Sequence, residues 1–241
     1  MQSNTPLNLS IIIPAFNEED SIIEVLQAVL KNTVEGVTYE VIVIDDGSTD
    51  GTRAKLKENT GLYHHLILME RNSGKGAAVK AGLAKASGDY ILFQDADFEY
   101  DPADYVKLLS PVTRFGADVV MGSRLSAPPI TRVYYFWNKV ASKTLTWLFN
   151  VRFNVAFTDI FSCYLLYRRS LLKPEELITS GWEQHVEILT LVVPRASRMY
   201  EVPVSYYGRS YDEGKKIRFY HVFPMLRTIL FRALGQTKRD R

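Results

Sequence analysis

The chain has 241 residues, of which 46% are hydrophobic and 23% are charged, so it can bury the core of one large globular domain. Its 29 basic and 27 acidic residues leave a net charge of +2, and this balance gives no indication of a nucleic-acid partner. The only cysteine, Cys163, excludes an internal disulfide and gives no support for a Cys/His metal site.

Two apolar runs near the N-terminus predict buried strands, each followed by a helix. Residues 9–14 are almost continuously apolar, and the next segment has apolar residues at helical spacing, with Asn17 as its predicted N-cap. Residues 39–44 repeat the pattern and end in a turn that contains Asp46, before a second helix that extends to about residue 59. The order so far is βαβα.

A third short strand is predicted at residues 66–69, and a glycine-rich turn then opens a helix that reaches Ala86. The turn lacks the spacing of a Walker loop, and no G-x-G-x-x-G follows the first strand, so the sequence predicts neither kinase-like ATP hydrolysis nor NAD binding. Lys75 lies at the start of this helix. It either approaches a phosphate there or is solvated.

The segment at residues 90–99 is an apolar run that ends in three acids at alternate positions, Asp95, Asp97 and Glu99. Buried carboxylates so close together repel each other unless a cation lies among them. Mg2+ and Mn2+ prefer carboxylate oxygens and commonly complete their shell with substrate phosphates, so one interpretation is a metal site for a diphosphate. The alternative is a solvated acidic turn, with Asp101 as the N-cap of a helix that begins near Pro102.

Strands that alternate with helices predict an α/β fold with a mainly parallel sheet. Ligands of such sheets lie beyond the carboxyl ends of the strands. Three predicted strand ends carry acids, namely Glu18, Asp46 and the pair Asp95 and Asp97. We therefore expect these side chains at one edge of the sheet.

The second half of the chain begins with a predicted strand at residues 117–124 that ends in Arg124, which either neutralises a phosphate or forms a surface salt bridge. Residues 130–155 then combine aromatic and basic side chains without an acid, among them Trp137 and Trp147. This composition is typical of a helix at a bilayer interface, although a core helix with a basic outer face fits equally well. Asp159 follows in an apolar neighbourhood, as a site residue or as a cap.

The C-terminal part predicts a helix that starts near Trp182, an edge strand that contains Pro203, and a last helix after residue 222. Between the edge strand and the last helix lies a polar, glycine-bearing loop with cations, which can close over an anion. The four histidines are scattered without ligand spacing and are interpreted as structural: His64, His65, His185 and His221.

Four motifs in this order are far more specific than any one of them: residues 12–18 (IIPAFNE), 45–52 (DDGSTDGT), 72–76 (NSGKG) and 95–97 (DAD). The combination resembles glycosyltransferase family 2, which has the GT-A fold, a Rossmann-like parallel sheet flanked by helices. The later segments 122–124, 158–164 and 201–216 resemble the dolichyl- and polyprenyl-phosphate sugar transferase branch. The likeness covers nearly the whole chain. It implies one GT-A domain over residues 1–241, with a nucleotide-sugar half (8–125) and an acceptor-binding, membrane-facing half (126–241) that carries the C-terminal helices.

The resemblance also implies roles for individual residues. A nucleotide sugar would be held by Pro14, Phe16, Glu18, Ile44, Asp46, Asp95, Ala96, Asp97, Glu99, Arg209 and Lys215. The metal, Mg2+ or Mn2+, would lie at Asp95, Asp97 and Glu99, with Asp97 and Glu99 as its ligands. Arg209 and Lys215 would cover the diphosphate, and Arg124 would hold the acceptor phosphate, with Arg132 as a second candidate. Cys163 departs from the family, in which glycine is frequent at this position, and this puts the local backbone geometry in question.

The activity implied is the inverting transfer of one sugar from GDP-mannose or UDP-glucose to a polyprenyl or dolichyl phosphate. Asp97, Arg124, Arg209 and Lys215 would be the catalytic residues. An ionised phosphate acceptor needs no general base, whereas for a hydroxyl acceptor an acid such as Asp159 would have to act.

Relatives in this branch often carry C-terminal transmembrane helices, and no such segment occurs before Arg241. We therefore expect a cytoplasmic protein that reaches the cytoplasmic face of a membrane, through its basic aromatic segment or through a separate anchoring subunit. Two alternatives remain from the sequence. One is a related transferase that acts on a saccharide or protein hydroxyl, and the other is a non-catalytic nucleotide-sugar-binding protein.

Overall fold

The apolar runs of the sequence form the centre of one mixed sheet, as seen in a computed structural model that describes residues 6–126, 132, 135–209 and 221–232. The strands are β1 (Leu7–Ala15), β2 (Val37–Asp45), β3 (His65–Leu68), β4 (Tyr90–Phe93), β5 (Val119–Ser123), β6 (Leu165–Arg168) and β7 (Met199–Pro203). The helices are α1 (Ile22–Lys31), α2 (Thr52–Glu58), α3 (Lys75–Lys85), α4 (Tyr105–Phe115), α5 (Phe136–Phe153), α6 (Gln184–Val192) and α7 (Val222–Phe231).

The seven strands of the described residues lie in the order β3-β2-β1-β4-β6-β5-β7. β1 pairs in parallel with β2 and β4, and β2 pairs in parallel with β3. β6 is antiparallel to both of its neighbours, while the edge strand β7 is parallel to β5. The α/β prediction with a mainly parallel sheet is confirmed. Strands from both halves of the chain belong to this sheet.

The register brings the predicted strand ends together at one edge. Ala15, the last residue of β1, is opposite Asp45, the last residue of β2, and Ile12 is opposite Phe93. The inner strands β1, β2, β4, β5 and β6 are mostly buried because helices cover the sheet, whereas the edge strands β3 and β7 are only partly buried. Since β6 is antiparallel, its N-terminal end at Leu165 lies at this same edge, two residues after Cys163.

Two local predictions differ from the structure at this edge. β4 ends at Phe93, so the three acids lie in the bend after the strand and not on a continuing strand face. Asn17 does not cap α1, because the helix begins at Ile22. Its backbone has a φ of 51°, in the left-handed region that asparagine tolerates, and its side chain accepts a hydrogen bond from the Thr49 amide at 2.9 Å.

The predicted cap at Asp101 and the predicted edge strand are confirmed. Asp101 accepts a hydrogen bond from the Ala103 amide at 2.9 Å, at the start of the short 3-10 turn Pro102–Asp104 that leads into α4. β7 is the last strand of the sheet order, and Pro203 is its final residue, where its missing N–H costs no ladder bond.

Helices α5 and α7 contact each other and expose large apolar side chains. In α5, which has 18 residues, only Leu145, Thr146 and Phe149 are buried, while Trp137 is 76% and Trp147 is 61% exposed. We call the exposed apolar residues of both helices the aromatic surface: Phe136, Trp137, Trp147, Val151, Phe223, Leu230 and Phe231. Lys139 and Lys143 are also exposed on α5. Within the described part of the chain, no helix combines the length and apolarity needed to span a bilayer.

Candidate active site

A cavity of about 790 Å3 lies beyond the carboxyl ends of β1, β2 and β4. The nucleotide-sugar residues predicted from the sequence mostly line it: Pro14, Phe16, Glu18, Asp46, Asp95, Ala96, Asp97, Glu99 and Arg209. They meet because parallel strands deliver their following residues to the same edge. The predicted location of the site is therefore where the structure has its cavity.

Three acids lie around the guanidinium of Arg209, namely Glu18 and the bend residues Asp97 and Glu99. Arg209 forms an ion pair with Asp97, and it reaches the two carboxylate oxygens of Glu18 at 3.3 and 3.4 Å. Its backbone amide donates to Glu99 at 2.7 Å. The Arg209 Nε is buried and, among the described residues, has no hydrogen-bond acceptor. A buried guanidinium N–H in a cavity wall is well suited to a phosphate oxygen.

Contacts with Glu99 and Tyr100 fix the segment that carries Arg209 next to the acidic bend. Tyr206 forms an isolated β-bridge with Tyr100 and donates its hydroxyl hydrogen to Glu99 at 3.1 Å. The Tyr207 amide donates to the Glu99 carbonyl at 2.9 Å. The polar loop after β7 thus begins in contact with Glu99 and Asp97, where a loop can close over an anion.

The electrostatics of this cluster favour an additional cation. Burial, followed by repulsion from Asp95 and Glu99, raises the pKa of Asp97 to about 7, although Arg209 acts in the opposite direction. A bound divalent cation would stabilise the ionised carboxylate and relieve this repulsion.

The donor set fits a hard cation only in part. Carboxylates in a cavity are ligands that Mg2+ or Mn2+ accepts, usually one or two at a time together with substrate phosphates. Among the described residues, no group of three or more His, Cys, Asp or Glu side chains is arranged to hold a metal ion. The carboxylates therefore fit a cation that needs the diphosphate to complete its shell.

Asp95 is separated from the other two acids by its own partner. Lys75 at the start of α3 forms an ion pair with Asp95 and lies 5.2 Å from the centre of the Trp182 ring. The buried Cys163 thiol also interacts favourably with the Asp95 carboxylate. Burial alone would raise the pKa of Asp95, but Lys75 and Cys163 hold it below its ordinary value. Lys75 is therefore a partner of the acidic bend, and the interpretation of a solvated lysine is wrong.

Cys163 causes no backbone strain where the family frequently has glycine. The described non-glycine residues with positive φ do not include it. Its amide donates to the Tyr100 hydroxyl at 3.0 Å, and burial raises the pKa of its thiol well above the ordinary value. The side chain acts as a small buried part of the cavity wall beside Asp95.

Asp46 fixes the loop that precedes α3. Its two carboxylate oxygens accept hydrogen bonds from the amides of Ser73 at 2.8 Å and Gly74 at 3.0 Å. Gly74 has a φ of 95°, and a Cβ there would lie 2.5 Å from the Ser180 carbonyl oxygen, so only glycine fits. Asp46 lines the cavity, and its observed contacts position this loop.

Arg124 and Asp159 form a second ion pair at the cavity wall. The guanidinium donates to both Asp159 oxygens, at 2.6 and 2.9 Å, and lies 5.0 Å from the centre of the Tyr206 ring. Asp159 is fully buried and Arg124 lines the cavity. Burial would raise the pKa of Asp159, but Arg124 lowers it below the ordinary value. The surface salt bridge considered for Arg124 is therefore wrong.

The cavity continues to the aromatic surface. Its wall includes Trp137, Ser142 and Leu145 of α5 together with Phe223 and Met225 of α7. Trp137 and Phe223 are both cavity-lining and largely exposed, at 76% and 67%. One opening of the site is thus bordered by apolar side chains that also face solvent.

Of the predicted residues that the structure describes, Ile44 and Arg132 are not brought into the cavity wall. Ile44 is fully buried beneath α3, where it would contact a Cβ at Gly82. Arg132 donates to the Gly208 carbonyl at 3.4 Å but does not line the cavity. Lys215 lies outside the described residues.

Several cavity residues gave no signal in the sequence. Gln184 and His185 are at the start of α6, where they looked like ordinary helix residues, and the Ser142 hydroxyl lies on α5. Each has a buried side-chain atom without a hydrogen-bond partner among the described residues. The sequence predicted structural roles for the histidines, and His64 agrees with this, because it accepts a hydrogen bond from the Val41 amide at 3.0 Å. For His185 the prediction is incomplete, because this residue lines the cavity.

Comparison with known proteins places this geometry in context. Residues 10–174 match the model of the family "Glycosyl transferase family 2". Dolichol-phosphate mannosyltransferase from Pyrococcus furiosus is 28% identical over 226 residues, covering 92% of this chain and 63% of the relative. Dodecaprenyl-phosphate galacturonate synthase from Rhizobium johnstonii is 30% identical over 213 residues, covering 87% and 62%. Glycosyltransferase AglJ from Haloferax volcanii is 31% identical, covering 85% and 65%. The chain thus spans slightly less than two thirds of the length of these relatives.

Solved structures share the fold at low identity. Glucosyl-3-phosphoglycerate synthase from Mycobacterium tuberculosis, crystallised with Mn2+, UDP and glucosyl-3-phosphoglycerate, has a TM-score of 0.65 and 21% identity, covering 94% of this chain and 80% of that chain. TarS 1-349 from S. aureus, crystallised with UDP-GlcNAc, has a TM-score of 0.63 and 18% identity, covering 95% and 67%. Both agree with the GT-A arrangement of sheet and helices.

Proposed function

Since the chain belongs to glycosyl transferase family 2, we propose that it transfers one sugar from a nucleotide sugar to a polyprenyl or dolichyl phosphate. The observation that carries the proposal is one continuous cavity whose wall includes buried carboxylates and Arg209 as well as the exposed Trp137 and Phe223. A diphosphate fits the first set of residues, and a lipid phosphate fits the second. The names of the curated relatives, which include a dolichol-phosphate and a dodecaprenyl-phosphate enzyme, support this acceptor class.

At the donor end, we assign the nucleotide diphosphate to the region of Arg209, Asp97 and Glu99. A divalent cation, Mg2+ or Mn2+, held by Asp97 and Glu99 would stabilise the negative charge that develops on the leaving diphosphate. The Nε of Arg209 can donate to a phosphate oxygen, because it is buried and lacks a hydrogen-bond acceptor among the described residues. Lys215 is proposed to act with Arg209 over the diphosphate.

At the acceptor end, Arg124 is proposed to hold the acceptor phosphate. Asp159 stabilises the guanidinium and orients it at 2.6 and 2.9 Å, so the arginine is positioned before the acceptor arrives. The same pairing argues against a hydroxyl acceptor. A general base should have a pKa near the working pH, and the pKa of Asp159 is lowered instead. An ionised phosphate can attack the anomeric carbon without a base, with inversion of configuration.

Access to a lipid acceptor requires contact with a membrane, and we propose that the aromatic surface provides it. Exposed aromatic and basic side chains together favour the interface of an anionic bilayer. The protein would then act peripherally at the cytoplasmic face, with or without an anchoring subunit.

The proposal is tested by transfer of labelled sugar from GDP-mannose or UDP-glucose, assayed separately, to a polyprenyl phosphate in detergent with Mg2+ or Mn2+. We expect a labelled lipid from one donor, and no product when EDTA removes the cation. A labelled saccharide formed without any lipid phosphate would favour the hydroxyl-acceptor alternative. Donor binding without hydrolysis or transfer to any acceptor would favour a nucleotide-sugar-binding protein.

A further inference from the structure

Two neighbouring residues of the cavity wall carry polar atoms that the described structure leaves unsatisfied. Gln184 is 3% exposed, and its amide nitrogen has no hydrogen-bond partner among the described residues. The Nε2 of His185 is likewise buried and without a partner there. Leaving such groups unpaired is costly, and native proteins rarely do so away from a ligand. Both residues line the cavity, so their missing partner belongs in the cavity.

His185 lines the cavity and packs against the ring of Phe93, the last residue of β4, with the ring centres 6.4 Å apart. It interacts electrostatically with the Lys75–Asp95 pair on the donor side and with the Arg124–Asp159 pair on the acceptor side. Burial and then Lys75 lower the pKa of His185 to about 4, so the imidazole is neutral near pH 7. A neutral imidazole offers one donor and one acceptor nitrogen. The region between the leaving group and the attacking phosphate is where a transferred sugar must be.

The start of α6 is held rigidly enough to select a ligand. Glu187, one turn further, accepts hydrogen bonds from the amides of Ile178 at 3.1 Å and Thr179 at 3.0 Å, which fixes the preceding loop. The Ser180 carbonyl of that loop accepts from the Gly76 amide at 2.8 Å at the first turn of α3. Gln184 packs closely here, because a Cβ at Gly76 would lie 2.8 Å from the Gln184 Cβ.

We propose that Gln184 and His185 form hydrogen bonds with hydroxyl groups of the transferred sugar and determine which nucleotide sugar is used. This inference rests on the proposed function and specifies the part of it that selects the sugar. Sugar hydroxyls both donate and accept, which matches a neutral amide and a neutral imidazole, whereas phosphates match the cations Arg124 and Arg209. The names of two relatives specify different sugars, mannose and galacturonate, so this family must vary its sugar contacts.

The test compares wild type with Gln184→Met and His185→Phe, which keep the volume or the ring but remove the polar atoms. Gln27→Met, an exposed glutamine on α1, is the matched control. Binding of GDP and UDP with Mn2+ is measured by calorimetry, and kcat/KM is measured for GDP-mannose, UDP-glucose and UDP-galactose. We expect unchanged affinity for the nucleoside diphosphates, because they lack the sugar. For the preferred sugar nucleotide, kcat/KM falls about tenfold or more, and the discrimination between the epimers UDP-glucose and UDP-galactose becomes smaller.

The nucleoside diphosphate measurement also reports whether the variants are folded. An equal loss of affinity for diphosphates and sugar nucleotides would overturn the inference, since it would indicate a structural role. Unchanged donor discrimination in both variants would overturn it as well, and would assign the unpaired atoms to buried water. A wild-type protein that binds none of the donors would refute the proposed function, and this inference with it.

Discussion

The two ends of the cavity differ in their unfavourable feature, which is crowded negative charge at the donor end and exposed apolar surface at the acceptor end. At the donor end, Glu18, Asp97 and Glu99 gather around one guanidinium, and the charge of Asp97 remains disfavoured. At the acceptor end, Trp137 and Phe223 are largely exposed although they are large and apolar. The first end lacks positive charge, and the second lacks an apolar partner. Under the proposed function, one chain prepares for a diphosphate with its metal and for a lipid by two opposite means.

Replacement of Asp97 tests the donor end, and we expect it to have the largest effect on transfer of all the variants considered. We expect Asp97→Ala to reduce transfer by about a thousandfold, since it removes a proposed ligand of the cation that stabilises the leaving group. Turnover is measured with saturating donor and metal. Asp101→Asn is the matched control, because it removes a charge from the same segment while asparagine still caps the turn. Near-normal turnover of Asp97→Ala in saturating metal would contradict the assignment.

Glu187 connects the loop before α6 with the end of α7, and its replacement removes these contacts. This residue is fully buried, accepts hydrogen bonds from the loop that packs on α3, and pairs with Arg232 directly after α7. Glu187→Ala leaves that arginine and the loop amides without their partner. We expect the free energy of unfolding to fall by about 3 kcal/mol in urea titrations.

The control for this variant is Glu175→Ala, which removes the same charge from an exposed position nearby. Its unfolding midpoint should match that of wild type. If both variants unfold at the same urea concentration, then Glu187 does not hold the loop and α7 together.

The acceptor end is tested by its two exposed tryptophans. We expect Trp137→Ser and Trp147→Ser each to weaken binding to anionic liposomes about tenfold, because each loses about 1.5 kcal/mol of apolar burial. Sedimentation with the liposomes measures the bound fraction. Phe115→Ser is the control, since Phe115 is 47% exposed on α4 and is outside the aromatic surface. If all variants bind the liposomes equally, then the aromatic surface does not contribute to membrane docking.

The donor end was largely predictable from the sequence, because most of its residues directly follow strands that the sequence reveals. Continuous apolar runs indicate buried strands, parallel strands end at one edge, and the residues that follow them are then neighbours. Asp46, Asp95 and Asp97 were found in this way, and all of them line the cavity. What failed there was local backbone detail, such as the positive φ of Asn17 and the end of β4 at Phe93.

The partners of these residues were not predictable, since they come from distant parts of the chain. Arg209 meets Glu18 across 191 positions, and Arg124 meets Asp159 across 35. Gln184 and His185 face the cavity only because the loop before α6 packs on the first turn of α3. No periodicity in the sequence reports such a contact. The resemblance to a family supplied the role of Arg209, but it did not supply these pairings.

An ion pair away from both ends should have the smallest effect and should leave activity unchanged. Glu176 forms an ion pair with Arg195 that includes a contact at 2.9 Å, and this hydrogen-bonded partner lowers the pKa of Glu176 from 4.5 to about 2. A carboxyl whose pKa is lower in the folded state stabilises that state above pH 4.5, and the contribution is lost as the pH falls toward 2.

For Glu176→Gln, we expect a loss of less than about 1 kcal/mol at pH 7, because the pair is partly solvent-exposed. The difference from wild type should shrink as urea titrations are repeated at decreasing pH below 4.5. Glu175→Gln removes the neighbouring charge and should show no such dependence on pH. A difference between Glu176→Gln and wild type that stays constant down to pH 2 would mean that the ion pair does not account for it, because about half of wild-type Glu176 is itself protonated there.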